Sequence, residues 1–92
     1  MRSVDLAIYA DSLAGEAASL AARIERARSR LRQAAIERAA RDELPAATIT
    51  RLEKVGLLAT RGDHAELREL QSALDAVEAL QAWVEARLAS AA

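Results

Sequence analysis

The 92-residue chain has room for one domain at most, which excludes a two-domain enzyme. It has no Cys and a single His, His64, so a disulfide framework and a structural zinc site within one chain are both excluded. Ala supplies 24 of its apolar residues and Phe is absent, which suits closely packed helices rather than a broad core around a deep pocket.

The net charge of −1 is unevenly spread. Residues 1–22 carry one cation and three anions (−2), residues 23–61 ten and five (+5), and residues 62–92 two and six (−4). The basic middle suggests either nucleic acid or neutralisation by the acidic third segment packing alongside. Arg outnumbers Lys twelve to one and Asn is absent, which reads as a coding bias and weakens the phosphate-binding signal. The longest uncharged stretch, Leu44 to Thr50, is seven residues, far short of the ~20 needed to span a membrane. Asp5 and Asp11 interrupt the run that a signal peptide would need. A cytoplasmic protein with no membrane partner is expected.

Ala, Leu, Arg and Glu dominate and no strand-like alternation occurs, so the chain reads as a single all-α domain over 1–92. The first helix is expected over 3–42, with Ser3 as its N-cap. Leu6, Ala10, Leu13, Ala17, Leu20, Ile24, Ala27, Leu31 and Ala34 recur at intervals of 4 and 3, an unbroken heptad seam. Gly15 lies off that seam and allows a bend. Pro45 ends the helix and opens a short one over 46–59, with Ile49, Leu52, Val55, Leu57 and Leu58 as its apolar residues. Gly62 stops the short helix, and Asp63 with Glu66 forms a capping box for the last helix, over 63–89. Its seam is Leu67, Leu70, Leu74, Val77, Gln81, Val84 and Leu88. The expected fold is a long-short-long three-helix hairpin with coiled-coil-like packing, forming a dimeric helical bundle.

Placing Arg28 beside Glu78 sets residue i opposite 106 − i, with Glu16 near Arg87 and Gln81 near Ala27. This register leaves residues 3–16 without a partner in their own chain. Val4, Leu6, Ile8, Tyr9 and Leu13, with Trp83 as a second contact, are therefore the expected homodimer interface. No catalytic motif is present and no cofactor or metal is expected. The spacing Arg23, Arg26, Arg30 puts three cations on one helix face, able to contact phosphates or to pair with the acidic last helix.

Two resemblances add to this reading. The segment IERAARDELPAATITRLEKVGLL, residues 36–58, resembles the helix-turn-helix of the bacterial MarR and MerR regulator groups. That likeness implies Ala40 at the helix crossing, Ile49 and Leu52 inside, and Thr48, Thr50, Arg51 and Lys54 facing DNA. The same Ile49 and Leu52 equally suit a hydrophobic plug at the hairpin tip. The long-short-long outline resembles the all-α chorismate mutases, and implies Arg30, Arg51 and Gln81 around a dicarboxylate substrate. Helical architecture does not itself define function. The sequence points first to a non-enzymatic oligomerisation or adaptor protein that binds itself and another protein. A DNA-binding regulator is the alternative, and a mutase-like enzyme a remote one.

Overall fold

The computed structural model describes residues 1–91 and consists of three helices: α1 (Ser3–Glu43), α2 (Ala46–Lys54) and α3 (His64–Ala91). Among the described residues there is no strand. The molecule is a rod of 68 × 19 × 14 Å.

α1 runs unbroken through Gly15, because its many strong helix formers outweigh the ~1 kcal/mol that one internal glycine costs. Ser3 is its first helical residue, not its cap: Arg2 holds the cap position with extended backbone and no side-chain hydrogen bond. α1 stops because Leu44 precedes Pro45 and is pushed into the extended region (φ −86°, ψ 151°). Pro45 in turn is the N-cap of α2, one position earlier than its usual place inside a helix, and its carbonyl accepts from the Thr48 and Ile49 amides.

The short helix ends at Lys54, not at residue 59. Gly56 adopts a left-handed φ of 80°, its amide donates to the Glu53 carbonyl, and the Leu57 amide donates to the Leu52 carbonyl. Those paired bonds are a Schellman closure, so Gly56 supplies the stop expected from Gly62. Leu58 also has positive φ (59°), which completes the reversal. Gly62 serves instead for close approach: a Cβ there would lie 2.7 Å from Leu31 Cδ2 and 3.1 Å from Leu31 Cα. Asp63 caps α3 as expected, its Oδ1 accepting from the Ala65 amide at 2.9 Å. Glu66 does not close the capping box but accepts from Arg30 on α1 at 3.0 Å.

α1 and α3 pack along their seams. Leu20, Ile24, Ala27 and Leu70 form one buried cluster, flanked by Leu67, Leu74 and Val77. Leu6, Leu13 and Val84 form the other, flanked by Ala10, Leu80 and Leu88. Arg30 beside Glu66 and Leu31 beside Gly62 give a register of about 95 − i, some three helical turns from the expected one. Arg28 accordingly pairs with Glu25 at 2.8 Å, not with Glu78, and Arg87 stacks on Trp83, not beside Glu16. Ala27 faces Leu70 rather than Gln81.

The connector explains the shift. From residue 43 down to 31 is roughly 18 Å of helix, and residues 55–63 can reach about 30 Å when extended. Because α2 stops early, those residues are free to return along α1 before α3 begins. The amino-terminal arm is therefore covered by its own chain, with Leu6 and Leu13 at 5% and 6% exposure, and the expected overhang is overturned. The unaccompanied stretch lies at the opposite end, where α1 residues 32–43 outrun α3.

Candidate functional site

The residues expected to form an oligomer interface divide into two groups. Leu6 and Leu13 belong to the hairpin core and are unavailable to a partner. Val4, Ile8, Tyr9 and Trp83 remain exposed at the end of the rod where both termini lie. Trp83 carries the Arg87 guanidinium 4.9 Å above its ring, one helical turn away.

The residues expected to contact nucleic acid lie on two helices, α1 and α2. Arg23 and Arg26 are exposed on α1 without a carboxylate partner among the described residues, whereas Arg30 is paired with Glu66. On α2, Arg51 and Lys54 are exposed, Thr50 returns its hydroxyl to the Ala46 carbonyl (3.0 Å), and Thr48 is half-buried. Ile49 and Leu52 are only half-buried, and no residue of α2 is fully buried. The mutase-like set is likewise dispersed. Arg30 lies level with Glu66, and Gln81 is fifteen residues further along α3, roughly 22 Å away. No helix is long and apolar enough to cross a membrane. Among the described residues no group of acidic or imidazole side chains could hold a metal ion.

The structure brings together a set that the sequence pattern did not. Where the connector returns along α1, a half-open cleft of about 540 Å³ is lined by Leu31, Arg38 and Arg41 from α1, Leu58, Arg61 and Gly62 from the connector, and His64 from α3. Three bonds hold its walls. Gln33 donates to the Thr60 hydroxyl (2.7 Å), that hydroxyl donates to Glu37 Oε1 (3.1 Å), and Arg41 donates to the Leu58 carbonyl (2.6 Å). Arg41 also pairs with Glu53 of α2 at 3.3 Å. The second oxygen of Glu37, Oε2, is buried and accepts no hydrogen bond from the chain. Arg38 and Arg61 have no carboxylate partner among the described residues. The cleft thus presents the Arg38 and Arg61 guanidiniums, with Glu37 Oε2 enclosed in its wall. Gly62 was the one sequence signal for it, since glycine permits the close approach that brings the connector onto α1.

Comparisons with family models, with characterised proteins and with solved structures give no match to this chain.

Proposed function

We propose that the chain is a non-enzymatic helical module that associates with a second copy of itself and presents the resulting bundle to another protein. Shape is the observation behind this reading. A compact monomer of 9.9 kDa would expose roughly 5,200 Å², and this one exposes 6693 Å². Its radius of gyration is 20.9 Å, against about 12 Å for a compact domain of this length. The excess, on the order of 1,500 Å², exceeds the ~800 Å² per partner of an ordinary stable interface.

The sequence of the face of α1 turned away from α3 says how two copies would meet. Ile8, Gly15, Ala22, Ser29 and Ile36 follow one another at intervals of seven and are all exposed. The order is large, small, small, small, large. Antiparallel pairing about Ala22 sets each Ile8 against Ile36 of the other copy, with small residues letting the backbones approach in the middle. Charge favours the same arrangement. In the observed register the terminal half of the rod, residues 1–22 with 72–92, carries two cations and six anions (−4). The tip half, residues 23–71, carries eleven cations and eight anions (+3). Antiparallel pairing places each acidic end beside a basic tip.

Sedimentation equilibrium is the test. The wild-type chain is expected to sediment as a dimer at micromolar concentration, and Ile8→Asp or Ile36→Asp as a helical monomer. A wild-type monomer, or a dimer indifferent to both changes, would overturn the proposal. The exposed Arg23, Arg26, Arg51 and Lys54 of the basic half favour duplex DNA as the second reading. It requires a complex with random duplex that weakens steeply as salt rises and that is lost with Arg51→Ala and Lys54→Ala.

A further inference from the structure

We infer that the lengthwise groove between α1 and α3 beside Arg28 docks a basic amphipathic helix of another protein. The inference deepens the proposed role and rests on its claim of a protein partner, but not on the dimer. A hairpin of two long helices leaves a groove in which a third helix completes a bundle. Here it opens as a cavity of about 470 Å³ whose lining includes the buried Ile24 and the half-buried Leu74. Ala21, Glu25 and Arg28 form its α1 wall, and Gln71 and Asp75 its α3 wall. Both walls continue toward the termini by helical spacing. On α1, Ala18, Ala14, Asp11 and Ala7 extend the row at alternating intervals of 3 and 4, and all are exposed. On α3, Glu78, Ala82, Glu85 and Ala89 extend the other row in the same way, and they too are exposed.

The two walls specify the occupant. The α1 wall is thin, because Ala7, Ala14, Ala18 and Ala21 carry only a methyl group, so a third backbone can come close. The α3 wall is charged. Together the two rows hold five anions (Asp11, Glu25, Asp75, Glu78 and Glu85) and one cation, a net −4. That cation, Arg28, is taken by Glu25, and the other four carboxylates have no cationic partner among the described residues. Nucleic acid and other polyanions are repelled by such a groove. A helix with small and apolar residues on one face and Lys or Arg along its edge matches both walls. There is surface for it as well. The row Ile8, Gly15, Ala22, Ser29 and Ile36, assigned to the second copy, shares no residue with the groove. The excess exposure of about 1,500 Å² is nearly twice one partner's share of an ordinary interface, so a dimer leaves a comparable area to be covered.

The test is fluorescence anisotropy of the full chain with a labelled helical peptide of about three heptads, the span from Ala7 to Arg28. The peptide has Leu and Ala on one face and Lys along its edge, and a second peptide has Glu in place of each Lys. We expect the Lys peptide to bind saturably and roughly tenfold more tightly than the Glu peptide. Ala18→Trp, at an exposed position, fills the groove and should lower affinity for the Lys peptide roughly tenfold with the helical circular dichroism unchanged. Glu78→Lys with Glu85→Lys should reverse the preference between the two peptides. The Lys peptide should bind equally to the Ile8→Asp chain and should leave the wild-type dimer intact in sedimentation, so failure of the dimer and failure of the groove read out separately. Equal binding of the two peptides, or no binding of the Lys peptide, would overturn the inference. So would indifference to Ala18→Trp, an unreversed preference in the charge-swapped chain, or a dimer that dissociates as peptide is added, which would put a second copy in the groove.

Discussion

Gly62 and Gly56 are both glycines near the tip, yet they do different work, and substitution separates them. At Gly62 a methyl group would press on the backbone of Leu31, which belongs to a long helix and cannot give way. Gly62→Ala is therefore expected to lower stability by about 1–3 kcal/mol in urea unfolding. At Gly56 there is open space around the missing Cβ, and the penalty comes only from its positive φ. Gly56→Ala should cost about 1 kcal/mol, as for any left-handed helix terminus. Asp63 can be tested in the same assay. Asp63→Ala leaves the Ala65 amide without its acceptor and should cost about 1 kcal/mol. The cap on α3 was legible because Asp63 follows a glycine and precedes an apolar repeat. The role of Gly62 was not, since a sequence does not distinguish a glycine needed for its dihedral from one needed for its thinness.

The helices themselves were readable to within a residue or two wherever heptad spacing was long. Both seams emerged because Leu, Ile, Val and Ala recur at fixed intervals from Leu6 to Ala34 and from Leu67 to Leu88, and burial follows that spacing. Gly15 behaves as the surrounding sequence requires. It sits on the outer face of α1 with nothing near its missing Cβ. Gly15→Ala should stabilise the isolated hairpin by about 1 kcal/mol, measured by thermal unfolding at concentrations below dimer formation. Gly15→Leu should also favour the helix but weaken self-association, since bulk in the small middle of the stripe holds two backbones apart. α2 was the least legible element. Val55, Leu57 and Leu58 look like a continuation of its apolar face, but a left-handed glycine between them turns the chain away. The cleft was hidden for the same reason. It exists only because residues 58–62 lie against α1, and no local pattern announces a connector that runs backwards.

At the scale of the whole molecule, exposed ion pairs do not set the pairing register. Arg30–Glu66 and its three companions are all solvent-exposed and each contributes less than about 1 kcal/mol, too little to override the connector and the burial of Leu6 and Leu13. Exposed charge acts instead on association. If acidic ends meet basic tips, the dimer should loosen as salt rises from the millimolar range to several hundred millimolar, visible as a falling sedimentation coefficient. The antiparallel hairpin also implies an order of assembly. Leu31 meets Gly62 across a 31-residue separation, whereas Leu6 and Val84, 78 residues apart, share one buried cluster, so closing the far end costs about 1 kcal/mol more in chain entropy. Pairing should start beside the turn and zip toward the termini, and fraying should retrace that path. Amide protons would then exchange fastest around residues 4–10 and 84–90 and slowest near Ile24 and Leu70, a protection gradient written into the molecule by its single bend.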